Sequence, residues 1–420
     1  MLSEHSSAQV HGGPGLTTMR RVRVPLLCCG LLLLACGPRP EPVVDAGAGA
    51  DASVDVDGGI DAGTDAGTLQ IPDIVIDHSL FWGNDAGVVE DAQVISFAKL
   101  MALAAGDGHG GALLSQWFHR FATTAHSERA LPAQFIDAVI AQQGADPTQW
   151  DLSGLPFKVT GIHNRIDLAK LAPGGHCGEL RASVSSSDVT LQPFHALFLF
   201  QQPLGDGDVV NGQVTCEGTA RRWAALSGLQ GTAFDAALRA MIAEGFTHER
   251  FTLLETVEFT LAPWEWRQWV PSADGGVENP PLFQQLDVEK LNAPGALRDD
   301  FLAWVDANAA QLDQRRVLFP DRFRAQSIRV TQGIPRVPLS LTGAAATTSF
   351  PTLRQELEVV GCAACHTADA EFVQTRSDRS VSPFYEKELR ARAVHLAALA
   401  RGIAPVPPFG PLQPNPVLPP

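Results

Sequence analysis

The spacing of apolar residues changes character several times along the chain. Residues 24–35 are an unbroken apolar run of about twelve, too short to cross a bilayer as a helix. Residues 36–70 scatter single aliphatic side chains among Asp, Ala, Gly and Pro, with no aromatic residue. From about Ile71 a helical period takes over. Apolar positions recur every three or four residues over 91–105, 111–123 and 131–143, which predicts three helices. Shorter β-like runs follow at 157–162, 180–184 and 196–201, then a helix over 219–244. Residues 253–261 alternate like a half-buried strand, with Val257, Phe259 and Leu261 on one face, and helices return over 281–311. Helices, strands, a helix, a strand and again helices, with no repeat of fixed period, predict an α+β fold and not a regularly alternating sheet.

Near the end, residues 353–360 fit a short helix. A longer one is expected with Ser382 as N-cap, Pro383 in the first turn and Gly402 at its close. Its buried stripe runs through Leu389, Ala393, Leu396 and Ala400. His395 stands about 100° from Leu396, at the stripe's edge, which predicts a surface position. Residues 404–420 are dense in proline and should be extended. The predicted organisation is a leader (1–35), a disordered tether (36–70), one large mixed domain (71–350), a small helical segment (351–403) and a proline-rich tail (404–420).

The first apolar run gains meaning from its flanks. Arg20, Arg21 and Arg23 precede it, small residues close it, and Met19 is a better initiator than Met1 for a signal peptide of this shape. Leu33-Leu34-Ala35-Cys36 resembles the lipobox of bacterial lipoproteins. The resemblance implies cleavage before Cys36 and a diacylglycerol on its thiol. Acyl chains contribute about 0.8 kcal/mol per buried methylene, enough for a membrane anchor without a transmembrane helix. Gly37 stands where an aspartate would imply inner-membrane retention, so the resemblance points to the outer membrane.

Charge and composition narrow the classes of function. A formal net charge of −15 argues against nucleic acid as a partner. The acidic 36–70 segment holds too little apolar area to offset its ordering entropy. Asp55-x-Asp57-x-Gly59 hints at a calcium loop, but the position of the closing glutamate is Ala66. Of the 7 cysteines, Cys28 and Cys29 leave with the leader and Cys36 takes the lipid. Cys177, Cys216, Cys362 and Cys365 remain. A Cys177–Cys216 disulfide, with a separate role for the close pair, is the simplest allotment in an oxidising compartment, and other pairings stay open.

Cys362-Ala363-Ala364-Cys365-His366 is a Cys-x-x-Cys-His sequence and resembles the attachment motif of c-type cytochromes. The resemblance implies haem c, with Cys362 and Cys365 as thioether residues and His366 as axial ligand. A short-loop disulfide, a redox dithiol or half of a zinc site would use the same cysteines. No methionine follows the motif, and Met101 and Met241 are the methionines left after the leader. His395, the one histidine downstream, is the alternative to a surface position: a distal iron ligand.

The densest polar cluster is His163-Asn164-Arg165-Ile166-Asp167-Leu168, followed by His176-Cys177-Gly178-Glu179-Leu180-Arg181. It is similar to a pattern in uncharacterised exported bacterial proteins, many with a cysteine–histidine motif near the C-terminus, and implies no established activity. His163, Asp167 and Glu179 could serve as acid–base groups or ligands. Alternatively, Arg165 with Asp167 or Glu179 forms buried ion pairs beside the Cys177 bridge. Trp264 and Trp266 share a face, where they could stack on a sugar or fill the core. No His-Glu-x-x-His, Gly-x-Ser-x-Gly or phosphate-loop pattern occurs. Two classes of function result: a membrane-tethered haem protein passing electrons to a redox protein partner, or a structural or binding lipoprotein in which Cys362–Cys365 is a staple. An enzyme built on the 163–181 block ranks third.

Overall fold

The computed structural model describes residues 74, 76–83, 91, 93–106, 109–123, 130–171, 174–186, 194–258, 264–282, 285–313, 319–330, 339–351, 353, 357 and 383–403. Cys36, the 36–70 segment, Ser382 and the Cys362–His366 motif lie outside the described residues. The described part belongs to one compact unit, Gly67–Pro420.

Its frame is an antiparallel sheet. The strands are β1 (Phe81–Trp82), β2 (Phe157–Arg165), β3 (Glu179–Ser186), β4 (Phe194–Gln201), β5 (Val209–Val210), β6 (Gln213–Val214), β7 (Phe251–Glu258), β8 (Trp264–Pro271), β9 (Val277–Glu278) and β10 (Ile328–Val330). The spatial order is β1-β2-β3-β4-β7-β8-β10, with β9 beside β8; β5 and β6 form a separate hairpin. The helices are α1 (Ile76–Ser79), α2 (Phe97–Ala105), α3 (Gly110–Thr123), α4 (Ala130–Gln143), α5 (Glu217–Ala225), α6 (Gly231–Gly245), α7 (Val288–Asn292), α8 (Ala296–Asp313), α9 (Ala346–Ser349) and α10 (Pro383–Ala400). An α+β architecture with a mostly antiparallel sheet follows.

Several boundaries moved for local reasons. The first long helix begins at Phe97, not residue 91, because the Ser96 side chain accepts from the Lys99 amide and caps it there. The expected 219–244 helix is two helices. A 3-10 turn at Leu226–Gly228 and a positive φ of 53° at Gly231 separate α5 from α6. The strands run longer than their apolar cores, since β2 reaches Arg165 and β3 starts at Glu179; polar residues continue both ladders. β7 ends at Glu258 and residues 259–263, with the expected Phe259 and Leu261, lie outside the described residues.

The apolar side chains form two clusters. In the first, Leu180, Ala182, Val184, Phe198, Leu254 and Trp269 of the sheet pack with helical residues such as Leu100, Trp117, Phe118 and Leu238. Trp117 lies 5.5 Å from Phe194 and 6.4 Å from Phe198 between ring centroids. Each such large side chain contributes about 1.5–3 kcal/mol when fully buried. In the second, Phe301 and Val305 of α8 pack with Phe319, Phe323, Leu339 and Leu341. Leu353 and Leu357, both helical, belong to this cluster, while α10 adds Leu389, Ala393 and Leu396 to the first.

Helix α10 ends as its composition dictates. Gly402 adopts φ 70°, and its amide donates to the Leu399 carbonyl (2.9 Å) while Ile403 donates to Ala398 (3.0 Å). No helix among the described residues is long and apolar enough to cross a membrane.

Candidate functional site

Residues opposite one another across a sheet share a face. The registers therefore place Phe81, His163, Arg181 and Leu199 in one row, and Gly161, Ser183, Leu197, Glu255 and Gln268 in another row of the same face. This face is polar and nevertheless buried: His163, Glu179, Ser183, Ser185 and Gln268 are all buried. The opposite face supplies the first apolar cluster. The sheet is buried on both sides, and the His163 side is the more polar of the two, although the opposite side also holds the buried Arg267–Glu265 ion pair (2.7 Å).

The densest part of this layer lies where β2 meets α10. His163 Nδ1 shares a hydrogen bond with the Tyr385 hydroxyl, and its Nε2 lies 3.2 Å from Ser183 Oγ. Ser183 in turn donates to the Gly161 carbonyl at 3.1 Å. These partners fit one neutral tautomer: Tyr385 donates to Nδ1, and the Nε2 proton goes to Ser183. Arg392 Nη1 donates to the Tyr385 oxygen at 3.3 Å and its guanidinium lies 5.1 Å from that ring's centroid.

Charges surround this relay. Arg165 grips Asp167 with two nitrogens, Nε at 3.0 Å and Nη2 at 2.9 Å, and lies 3.7 Å from Glu388. Arg392 pairs with Glu388 and approaches Asp167 at 3.6 Å. Two arginines and two carboxylates thus alternate between the end of β2 and one face of α10. Of the two pairings foreseen for Arg165, Asp167 is the actual partner; Glu179 pairs instead with Arg181, at 2.7 Å.

Burial would raise the Asp167 carboxyl and lower the Arg165 guanidinium, but their charges offset this. Asp167 is held well below the usual carboxylate range by Arg165 and Arg392, and Arg165 is held above its ordinary value by Asp167 and Glu388. For Glu388, burial is likewise outweighed by Arg392 and Arg165, and its pKa is lowered. Burial pushes the Tyr385 phenol up to about 12. Farther along the face, burial raises Glu255, which accepts from Gln268 at 3.0 Å.

Two histidines of this layer fold in the neutral form. Burial holds His163 well below its ordinary value of 6.5, and Arg392, Arg181 and Arg165 act in the same direction. Burial pushes His195 down to about 4, although the residue keeps some exposure, and its Nδ1 lies 2.9 Å from Ser185 Oγ. The unfolded chain takes these protons near pH 6.5 while the fold refuses them. Their contribution is therefore complete above about pH 6.5 and is lost as pH falls toward 4, by up to about 1.4 kcal/mol per histidine per pH unit. Urea midpoints should fall between about pH 7 and pH 5. Equal midpoints at both values would contradict neutral burial.

The local sequence explains why this block takes its shape. Gly178 adopts φ 82°, and a Cβ there would meet the Arg165 carbonyl oxygen at 2.2 Å, so the Cys-Gly-Glu run needs its glycine. Cys177 and Cys216 form a disulfide with Cα atoms 5.3 Å apart, and both are fully buried. Asn164 holds the same corner. It donates to the Ser79 carbonyl (3.0 Å) and accepts from Gln202 (3.1 Å), which itself accepts from Trp223 (2.7 Å).

His395 departs from the surface position expected of it. It is 7% exposed, and its Nδ1 is buried with no hydrogen-bond partner among the described residues. The reason is that α10 is buried on more than one side. Beside the apolar stripe, Tyr385, Glu388, Arg392 and His395 recur at intervals of three and four, a second stripe facing the β2 charges. That spacing was readable in the sequence but only the apolar stripe was drawn, so Tyr385, Glu388 and Arg392 were missed. Burial lowers His395 from its ordinary value, against the opposing pull of Asp167.

Of the two tryptophans expected to share a face, Trp264 is half-buried and Trp266 is buried. Trp269 sits on the opposite face, donating to Thr256 Oγ1 at 2.9 Å within the first apolar cluster. No group of three or more His, Cys, Asp or Glu able to hold a metal ion occurs among the described residues. Compared with known proteins, the chain matches no family model, no curated protein and no solved structure.

Proposed function

We propose that this chain is an exported lipoprotein, anchored through Cys36 in the outer membrane, that carries haem c on Cys362 and Cys365 and passes single electrons to a redox protein partner. The observation that carries the reading is the buried Cys177–Cys216 disulfide. A bridge of this kind persists in compartments outside the reducing cytoplasm, where covalent haem attachment also takes place. It also uses two of the four cysteines that remain beyond the anchor, leaving Cys362 and Cys365 as a close pair with His366 beside them. That donor set fits haem: two thiols for the porphyrin edge and a neutral imidazole for the iron. The buried, unpartnered Nδ1 of His395, on the helix that follows the motif in sequence, fits a ligand-bearing environment. When bound, the haem supplies a one-electron couple at its iron.

The chain's own residues supply a rigid, polar support. Arg165, Asp167, Glu388 and Arg392 tie α10 to the end of β2. Because these charges neutralise one another and are buried, the 163–181 block reads as a scaffold and not as an acid–base centre. The same observation favours the second reading, a structural or binding lipoprotein in which Cys362–Cys365 is a disulfide.

A pyridine haemochrome spectrum and an intact mass decide between them, taken on full-length protein produced with the haem-maturation machinery. The haem reading expects a c-type spectrum and a mass gain of one haem, both lost in Cys362→Ser/Cys365→Ser. Protein without a Soret band, two mass units lighter than its reduced form for each bridge, would establish the second reading instead (about four in total for two bridges).

A further inference from the structure

We propose that the polar face of the sheet carries a saccharide-binding site, in which Arg181, His195 and Glu255 take the hydroxyls of a neutral pyranose ring and Leu197 supports its C–H face. The site stands apart from the haem reading and uses none of the cysteines. On β3, β4 and β7 this face is buried at Ser183, Ser185, Leu199, Leu253 and Val257, yet Arg181, His195, Leu197 and Glu255 among them are only half-buried. These four adjoin one another. Glu255 lies directly across from Leu197, Arg181 is diagonal to Leu197, and His195 is diagonal to Glu255. Neighbours of these kinds stand about 4.5–8 Å apart. Because β4 and β7 are inner strands, solvent reaches the middle of a face whose surroundings are packed, as it does in a ligand cleft.

Each polar side chain of the cleft is fixed at one end and open at the other. Arg181 donates to Glu179 Oε2 from Nε (2.8 Å) and Nη2 (2.7 Å), Gln268 donates to Glu255 Oε1 (3.0 Å), and His195 Nδ1 lies 2.9 Å from Ser185 Oγ. Arg181 Nη1, Glu255 Oε2 and His195 Nε2 have no hydrogen-bond partner among the described residues. An anchor on each side chain restricts its rotamers, so the open atoms are positioned before a ligand arrives. Their chemistry selects that ligand. An anion would meet a guanidinium already paired with Glu179, and a cation would meet a carboxyl that burial pushes up against the ionised form. A hydroxyl both donates and accepts, so it suits a guanidinium N–H, a carboxyl oxygen and an imidazole nitrogen alike. A sugar ring joins a rim of such hydroxyls to an apolar C–H surface, matching polar groups gathered around Leu197. Trp266, diagonal to Glu255 on the same face, extends the apolar part of the floor.

Saturation-transfer NMR on the full-length protein tests binding, with the methyl glycosides of glucose, galactose, mannose and N-acetylglucosamine as probes. At least one should show transfer, strongest at the ring protons of its C–H face. Leu197→Trp fills the cleft without removing a hydrogen-bonding group, and it should abolish the transfer at an unchanged urea midpoint. The wild type gives a second readout that needs no variant. The bound glycoside should slow modification of His195 by diethyl pyrocarbonate, read by peptide mass, and leave the exposed His119 unaffected. Absence of transfer from all four probes overturns the site, as does transfer that survives in folded Leu197→Trp or leaves His195 unprotected. Stronger transfer from glucuronate or choline than from every neutral glycoside overturns the ligand class. Should Leu197→Trp not fold, protection of His195 in the wild type decides.

Discussion

Asp167→Asn should lower the stability of the fold by about 3–5 kcal/mol, the usual cost of leaving a buried charge uncompensated. Asp167 accepts two hydrogen bonds from Arg165 and faces Arg392 at 3.6 Å, and its side chain is 8% exposed. Neutralising it leaves two arginines to share Glu388. Asparagine has nearly the same volume, so the loss reports charge and not packing. A surface pair provides the control: Arg222 and Glu244 are each 49% exposed, and Arg222→Met should change stability by less than about 1 kcal/mol. Urea denaturation of the two variants measures both. Comparable small losses would mean that the α10 charges are solvated, and the scaffold reading of the 163–181 block would fail.

The double variant Cys177→Ser/Cys216→Ser should lose about 4 kcal/mol, from the loop entropy released when a bridge across 39 residues is removed. The bridge ties the turn before β3 to the start of α5, where Asp208 accepts from the Gly205 amide and from Thr219. Both sulfurs are fully buried, so native protein should resist mild reductant and lose the bridge only on unfolding. Thermal melts of the oxidised, reduced and serine forms test this, the last two melting together and well below the first. Coincidence of all three curves would contradict the expected contribution.

The sequence disclosed the classes of element more clearly than their partners. The periods of α2, α3 and α4 and the cores of β2, β3 and β4 could be read directly, because each buries an apolar stripe against the first cluster. The ends were harder. Ser96 and Gly231 act through local hydrogen bonding and backbone conformation, which hydrophobic spacing does not report. The polar face was harder still. Glu179, Arg181, Ser183 and Ser185 alternate with Leu180, Ala182 and Val184, and alternation of that kind ordinarily marks a solvent-facing side. Here Glu179, Ser183 and Ser185 are buried as well, and Arg181 is half-buried. For His395 the neighbouring stripe of Leu389, Ala393 and Leu396 was visible, whereas the charges facing its other side come from a segment more than two hundred residues earlier. No local pattern carries that information. The Cys177–Cys216 pairing is the simplest allotment that the sequence offers, with other pairings open, and the buried bridge bears it out.

The clasp between β2 and α10 also has a consequence in time. His163 and Tyr385 are separated by 222 positions, so a chain synthesised from its N-terminus displays Arg165 and Asp167 long before Glu388 and Arg392 exist. Until the last helix arrives, the Arg165–Asp167 pair lacks Glu388 and Arg392 around it, and the slow closure of so long a loop falls at the end of folding. The Cys362–His366 stretch emerges just ahead of that closing helix.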